Sequence, residues 1–491
     1  MSKIIKSVPF VIVTTACLCA GCNKINGTKN IEEQINNHPV YERAPSEEKS
    51  STFMETYFSD EMPVFAFITM PSYHAIDGVG PGINPSFINY STFETFKEAG
   101  FNVVCPLYER VGIEDIEIRR AIQICSDLDL KYVLRDVDFL CMVDELYEEP
   151  ASFDYYKAKL ADKWYLDEPC VIGIQTADEP NYRYFSSMGN FYRALADTRQ
   201  DMWPFTTLVP SYGGADEWGY AEAMEEKGIT DPWLGYQMFI DRYLDETKSS
   251  YVLYDYYLNH TGRFDMTPEN TKGIMENFSY FNRVCRERGI KYMASVAAFR
   301  HGRGQVFSMK ETRWTVNMSL AYGAKGIEYY SYWPTIGGNT SMSMWQNPSR
   351  MGLVTGNGIP HDTYAHIRDI NAQIALVDEY LMPATFVGVQ YYGAPTLHIQ
   401  PLDIIKFPEY LVDIQSEGDA FVGVFEYNNK PLYYILNNSF DADVGITTFQ
   451  AKFDRKVNVH LLNTNEDRTK NDTYSVAFDL SAGEAILMEI K

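Results

Sequence analysis

Short apolar runs alternate with longer amphipathic stretches along the chain from Pro63 onward. Eight of the runs have the length and the β-branched and aromatic content of buried strands: Val64 to Met70, Asn102 to Leu107, Tyr132 to Asp138, Val171 to Ala177, Pro204 to Pro210, Tyr251 to Tyr257, Lys291 to Ala297 and Gly326 to Trp333. This alternation is typical of parallel α/β architecture. Eight strand–helix units predict a (β/α)8 TIM barrel rather than a doubly wound sheet.

Helix signals stand between the predicted strands. The capping-box spacing from Ser91 to Glu94 predicts a helix that ends at Gly100. Pro268 predicts the start of a helix that ends at Gly289, because proline is favoured in the first turn and glycine just past the last. A third helix is expected from residue 308 to near residue 323.

The pattern changes after the helical stretch that ends at Leu381. Short β-rich runs separated by Asn, Asp and Gly then continue to the C-terminus. We therefore predict a barrel over residues 56–384, followed by an antiparallel β-sandwich over residues 385–491. Neither a dinucleotide-binding GxGxxG after a strand nor a P-loop occurs in the sequence, so no cofactor is expected.

The first 22 residues have the pattern of a secretory signal. Two lysines precede an apolar run that is too short to span a membrane permanently, and the small residues Ala20 and Gly21 precede Cys22. The last three resemble a bacterial lipobox, although Leu18 stands one place earlier than is usual. The resemblance implies a signal peptide over residues 1–21, a lipid on Cys22, a flexible tether over residues 22–55 and attachment to the cell envelope, at the outer membrane or facing the periplasm. Ordinary secretion is the alternative.

Composition narrows the possible partners. The chain has 42 basic and 66 acidic residues, a net charge of −24, so nucleic acid is not an expected partner. Aromatic residues make up 14% of the chain, which suits core packing or a sugar cleft. Neither the cysteines nor the histidine–acid pairs have metal-ligand spacing, so we predict free thiols and no metal.

Two acids end the fourth predicted strand, in the run from Gln175 to Pro180. The carboxyl ends of barrel strands carry the reacting groups of TIM-barrel enzymes. A helix cap would explain Asp178 but not Glu179. Glu179 is therefore the first candidate for a catalytic residue.

The Asp-Glu-Pro run resembles the acid/base motif of retaining glycoside hydrolase barrels, which is usually Asn-Glu-Pro. The stretch from Leu320 to Trp333 is similar to the final strand of the family 42 β-galactosidase-like barrels. The resemblance covers about residues 63–384 and suits a trailing β-sandwich. It implies that Glu179 is the proton donor, that Asp178 contacts the sugar and that Trp333 is a stacking platform.

The seventh predicted strand departs from that family. Its residues, Lys291 to Phe299, include no carboxylate where these barrels carry their nucleophilic Glu. Because glycoside hydrolysis normally needs two carboxyl groups, a second one is expected elsewhere. Asp255, late in the sixth strand, is the first choice for a catalytic partner. Glu328 is the second choice, and a buried ion pair is the more natural role for it.

Further mouth residues could bind a sugar, because aromatic faces suit pyranose rings and charged groups bond hydroxyls. These substrate-binding candidates are Tyr73, Tyr108, Arg110, Asp136 and Tyr257. Asp136 could bind a hydroxyl or fix Arg110.

Two hypotheses follow from the sequence. In the first, the chain is a lipid-anchored glycoside hydrolase that acts on an oligo- or polysaccharide. In the second, the barrel has lost its strand-seven nucleophile and binds glycans as an accessory lipoprotein in saccharide uptake. The sequence leaves the sugar, the linkage and the oligomeric state open.

Overall fold

A computed structural model describes most of the chain after residue 49. The described residues are 50–67, 69–71, 86–105, 109–142, 146, 148–258, 268–298, 309–333, 352–355, 358–393, 402–405, 409–439 and 445–491. Cys22, Tyr73 and Tyr108 lie outside this part, so the lipid anchor and two of the predicted sugar contacts stay predictions.

Eight parallel strands form the first sheet. They are β1 (Val64–Phe67), β2 (Val103–Val104), β3 (Lys131–Arg135), β4 (Val171–Asp178), β5 (Trp203–Thr207), β6 (Tyr251–Asp255), β7 (Lys291–Ala297) and β8 (Ile327–Tyr330). Their order is β5-β4-β3-β2-β1-β8-β7-β6. The two ends meet at Leu208, whose backbone N–H donates to Leu253 at 2.8 Å and whose carbonyl accepts from Asp255 at 3.3 Å. The predicted TIM barrel is therefore confirmed.

Helices precede, separate and follow the strands. They are α1 (Phe53–Tyr57), α2 (Tyr90–Glu98), α3 (Asp115–Asp127), α4 (Phe153–Leu160), α5 (Phe185–Thr198), α6 (Ala221–Glu226), α7 (Pro232–Thr247), α8 (Pro268–Arg288), α9 (Met309–Ala321) and α10 (Asp362–Leu381). The α8 helix starts at the expected proline, and Gly289 follows it with φ +67°. The expected start of α2 was wrong by two residues, because the side chain of Asn89, not that of Ser91, accepts the first-turn N–H from Thr92.

Aromatic side chains fill the lower part of the barrel. Phe65 of β1 contacts Trp203 and Phe205 of β5, with ring centroids 5.3 and 5.9 Å apart. Strands β1 and β5 lie on opposite sides of the barrel, so these rings meet through its interior. Phe53 of α1 stacks on Trp203 with centroids 4.7 Å apart. The interior is thus packed from below, and only the upper layers are available to polar groups.

Seven antiparallel strands form the C-terminal sheet. They are β9 (Thr385–Tyr392), β10 (Leu411–Ser416), β11 (Ala420–Tyr427), β12 (Lys430–Asn437), β13 (Thr447–Asn463), β14 (Glu466–Leu480) and β15 (Ala485–Ile490). Residues of β10, β13 and β14 share an apolar core with residues of β11, β12 and β15, which is the packing of a sandwich. The predicted β-sandwich is confirmed.

The opposite face of this sheet packs on the barrel. Phe421, Phe425 and Leu487 belong to the same apolar core as the barrel helices. The hydrogen bonds that cross the contact include those from Trp314 Nε1 to Asn438 at 2.9 Å and from Asn317 Nδ2 to Gly483 at 2.8 Å. The sandwich therefore braces the outer surface of the barrel at α9.

Two further observations concern the described residues. The five cysteines after Cys22 are unpaired, and all except Cys170 are buried. None of the helices in this part of the chain has the length and apolar character that a membrane span requires.

Candidate active site

A β-bulge determines which side chains β4 directs into the barrel. Gln175 pairs with Phe205, but the next pairs are Ala177 with Thr206 and Asp178 with Thr207, so Thr176 is an extra residue. Paired residues of parallel strands point to the same side. Because Phe205 lies inside the barrel, Gln175 below the bulge and Asp178 above it both point inward. An unbroken strand would have turned Asp178 outward, and bulges commonly re-aim side chains in this way beside active sites.

Glu179 leaves the strand in an unusual backbone conformation. Its φ is +47°, in the left-handed region that residues with a side chain seldom adopt. Its N–H donates to the carbonyl of Thr207 at 2.9 Å, which anchors the turn to β5. Such a conformation costs on the order of 1 kcal/mol and occurs often at functional sites. Here it directs the carboxyl group of Glu179 across the barrel mouth.

Glu179 and Asp255 form a hydrogen-bonded pair of carboxyl groups. Asp255, the last residue of β6, is only 5% exposed. Burial, together with the negative charge of Glu179, raises the pKa of Asp255 well above its usual range, which favours its protonated form. Burial also raises the pKa of Glu179, while the bond from Asp255 lowers it. The two carboxyl groups therefore titrate as a pair and not independently.

Asp178 and Glu179 are open to water although protein surrounds them. Both side chains are exposed, yet burial is the main cause of their raised pKa values. Water therefore reaches both side chains, although many protein atoms lie around them. Burial and the charge of Glu179 raise the pKa of Asp178 to about 7, against an opposing effect of Arg135. Asp178 therefore changes charge near neutral pH.

Glu328 lies inside the barrel on β8, where it is 1% exposed and pairs in register with Ser295 of β7. Burial raises its pKa to about 8, the charge of Asp178 adds to the rise, and a hydrogen bond with Ser295 opposes it. The expectation that Glu328 forms a buried ion pair was wrong. Among the described residues Glu328 has no cationic partner, and its Oε1 atom has no hydrogen bond. Glu328 is thus a buried acid below the mouth, and burial favours its protonated form.

Three half-buried aromatic rings form a row at the mouth. Tyr330 of β8 stacks on Phe67 of β1 and on Tyr257 after β6, with centroids 6.0 and 5.6 Å apart. The hydroxyl of Tyr257 is 3.1 Å from that of Ser295. The row therefore lies directly above Glu328 and Ser295, and its rings keep part of their surface open.

Other predicted sugar contacts are elsewhere. Asp136 is fully buried, accepts from the hydroxyl of Tyr165 at 2.8 Å and pairs with Lys163 at 2.8 Å, so it faces the outer helices and not the mouth. Its partner is not Arg110. The backbone N–H of Arg110 donates to the side chain of Glu114 at 2.9 Å. This is a correction to the expected hydroxyl contact and to the expected link with Arg110.

Trp333 is fully buried. The ring of Phe87 lies 4.7 Å from it, and Gly358 is close to its far edge. A fully buried indole has no free face for a sugar ring. The stacking role implied by the family resemblance therefore does not fit this conformation, and the half-buried row above Glu328 is the better platform.

Several mouth residues had no signal in the sequence. Arg135 donates from Nε to Gln175 and lies close enough to Asp178 to affect its pKa. Tyr212, in the segment after β5, interacts electrostatically with Asp255 and Glu179. Glu217, in the same segment, raises the pKa of Glu179. The segment has no strand or helix periodicity, so only the fold brings these two residues to the site.

The described residues include no cluster of three or more histidines, cysteines or acids that could hold a metal ion.

No protein-family model matches the chain, and no curated protein does. Solved structures similar to it include a glucosidase from Croceicoccus marinus, with 9% identity over 88% of this chain and 96% of that one and a TM-score of 0.41. Another is an α-amylase from Geobacillus thermoleovorans in complex with acarbose, with 11% identity over 88% of this chain and 98% of that one and a TM-score of 0.42. A third is an endo-β-1,4-mannanase from Thermotoga petrophila, with 12% identity over 84% of this chain and 97% of that one and a TM-score of 0.38. Such low identities and scores transfer no activity, so the chemistry of this chain rests on its own side chains.

Proposed function

We propose that the chain hydrolyses O-glycosidic bonds, with Glu179 as the general acid. One observation carries the proposal: at the mouth of a TIM barrel, Glu179 is open to water while its carboxyl group is hydrogen-bonded to the buried carboxyl group of Asp255, a pair that can hold one proton between them. A general acid must hold a proton at the working pH and must reach the leaving oxygen. The pair meets the first requirement and the exposure of Glu179 meets the second.

The proton reaches the substrate through Glu179, because Asp255 is buried behind it. When a glycosidic oxygen approaches the open side of Glu179, the single proton of the pair passes to that oxygen as its bond to the anomeric carbon breaks. Burial and the charge of Glu217 raise the pKa of Glu179, so this carboxyl group holds a proton to higher pH than an ordinary glutamate does. The row of Phe67, Tyr330 and Tyr257 supplies apolar faces for a sugar ring.

The resemblance to family 42 supports a β-galactoside as the substrate. The lipobox resemblance supports a lipid on Cys22, with the barrel held at the bacterial cell envelope. A saccharide is thus the substrate partner, and the membrane is a partner through the lipid alone.

A second candidate function is glycan binding without hydrolysis. The observation that favours it is on β7, where Ser295 points inward in register with Glu328 and no carboxylate follows up to Ala297. The observation against it is the carboxyl group of Asp255 within hydrogen-bonding distance of Glu179. A barrel that only binds glycans has no need of a shared proton.

The test uses the chain from about residue 50, assayed against nitrophenyl glycosides that include the β-D-galactoside. We expect wild type to release nitrophenol and Glu179→Gln to lose at least about 100-fold in kcat/KM. Glu222→Gln is the matched control, since Glu222 is an exposed residue of α6. Binding of a glycoside without turnover by wild type would favour the second candidate. Undiminished turnover by Glu179→Gln would exclude Glu179 as the acid.

A further inference from the structure

A glycoside hydrolase needs a second carboxyl group, and Asp255 is badly placed to attack a sugar. It is 5% exposed and its carboxyl group is bonded to that of Glu179. Hydrogen-bonded oxygens are about 2.5–3 Å apart. The two carboxyl groups of retaining glycosidases stand roughly 5–5.5 Å apart, with the anomeric carbon between them. Asp255 is therefore both too buried and too close to Glu179 to attack a sugar, and another acid is required.

Asp178 is a second acid at the same mouth. The bulge at Thr176 turns it into the barrel, and its side chain remains open to water at the same mouth as Glu179. Consecutive Cα atoms are about 3.8 Å apart, so the carboxyl groups of two neighbouring residues that both face the mouth stay close to each other. Glu179 is also hydrogen-bonded to Asp255. Asp178 is therefore the acid beside Glu179 that a sugar at the mouth can reach.

Arg135 and Gln175 support Asp178 from below. Gln175 is the inward residue immediately before the bulge, and its Oε1 accepts a hydrogen bond from Arg135 Nε. This bond fixes the guanidinium beneath Asp178, where its charge favours the carboxylate form. Gln175 itself is 1% exposed and does not reach the mouth. Arg135 and Gln175 thus act through Asp178.

We infer that Asp178 is the attacking carboxylate of a retaining mechanism and that Arg135 is its positioning residue. An oxygen of Asp178 bonds to the anomeric carbon while the bond to the leaving oxygen breaks. The released electron pair goes to the leaving oxygen, which takes the proton of the Glu179–Asp255 pair. Water then attacks the same carbon and gives its proton to Glu179, and the ester electron pair returns to Asp178. This inference rests on the proposed function.

A fluorinated probe separates the two proposals. Wild type is first assayed with 2,4-dinitrophenyl β-D-galactopyranoside and then incubated with its 2-deoxy-2-fluoro analogue, followed by peptide mapping by mass spectrometry. We expect turnover of the first compound and a fluorosugar ester on the peptide that contains Asp178. An ester on Asp255, Glu217 or Glu328, or no ester on an enzyme that turns over the parent compound, would overturn the inference and leave hydrolysis standing. An absence of turnover overturns both proposals.

Two variants test the roles independently. Asp178→Ala should lose more than about 1,000-fold in kcat/KM, and sodium azide should restore turnover with a glycosyl azide of inverted configuration as product. Asp216→Asn, in an exposed turn after β5, is the control and should keep wild-type activity and give no azide product. Arg135→Met should lower kcat more than it raises KM and should move the acidic limb of the pH profile upward. Asp178→Ala without azide rescue, or an unmoved acidic limb in Arg135→Met, would contradict the assigned roles.

Discussion

Glu179 of the β4 end and Asp255 of β6 share a hydrogen bond between their carboxyl groups, although β5 lies between the two strands. In a TIM barrel the side chains of alternate strands meet in one layer, so even-numbered strands can bring acids together across an intervening strand. Glu328 of β8 belongs to the same set, since its charge also affects Asp255. The mouth therefore concentrates acids that cannot all ionise at neutral pH.

Replacing Asp255 by Asn should remove the shared proton. An Asn amide still donates to Glu179, which stabilises the ionised carboxylate, but it has no proton to pass on. We expect Asp255→Asn to lose about 100-fold or more in kcat and to move the basic limb of the pH profile to lower pH. Asp178, Glu328 and Glu217 also act on this pair, so the profile is best measured in the single variant. An unchanged basic limb would show that Asp255 does not hold the proton.

Replacing Asp178 by Asn should stabilise the fold while reducing activity. The pKa of Asp178 is about 7 in the folded chain against 3.8 for an ordinary aspartate, so its contribution to stability is full below pH 3.8 and is lost as the pH rises to 7. We expect the free energy of unfolding of Asp178→Asn to exceed that of wild type by about 1–2 kcal/mol at pH 8, a figure that is reduced because the side chain is exposed to solvent. Near pH 4 the two proteins should differ little. Urea unfolding at both pH values is the measurement. A less stable variant at pH 8 would argue against the charge crowding.

Replacing the buried Glu328 by Gln should also stabilise the fold at high pH. The pKa of Glu328 is raised from 4.5 to about 8, so the folded chain keeps a proton that the unfolded chain releases, and stability falls from pH 4.5 to pH 8. A neutral glutamine of similar shape removes this loss. We expect the variant to exceed wild type by about 2–4 kcal/mol at pH 8 and to match it within about 1 kcal/mol at pH 5. A constant difference between the two pH values would mean that Glu328 does not titrate as described.

Tyr330 is the central ring of the aromatic row, so its removal should weaken substrate binding. We expect Tyr330→Ala to raise KM about tenfold, equivalent to ~1.4 kcal/mol, with a smaller effect on kcat. Tyr474→Ala, on the exposed surface of β14, is the control and should leave KM unchanged. Equal effects of the two substitutions would exclude the row as the sugar platform.

The sequence predicted the fold well because the fold depends on periodic signals. All eight barrel strands begin within one residue of their predicted starts, although six of them end two or three residues earlier than predicted. Glycines such as Gly289 and Gly323 end their helices as expected. The sequence also singled out Asp178, Glu179 and Asp255 as acids late in strands, and the structure brings all three to one mouth.

Side-chain direction was less accessible to sequence reasoning. Alternation along β4 does not reveal the bulge at Thr176, which depends on the pairing with β5 and turns Asp178 inward. Asp136 looks like a mouth residue until the packing of Lys163 and Tyr165 against it is known. Trp333 follows a strand that ends in aromatics, but contact with Phe87 buries it. These are tertiary contacts, and no local pattern encodes them.

The most direct test of Glu179 as general acid compares how much activity its replacement removes on substrates with good and with poor leaving groups. A good leaving group such as dinitrophenolate needs little protonation, whereas an alkoxide needs a proton to depart. We predict that Glu179→Gln loses at least about 100-fold more kcat/KM on methyl β-D-galactopyranoside than on the 2,4-dinitrophenyl galactoside, relative to wild type. An equal loss on both substrates would contradict the account, because it would mean that Glu179 does not protonate the leaving oxygen.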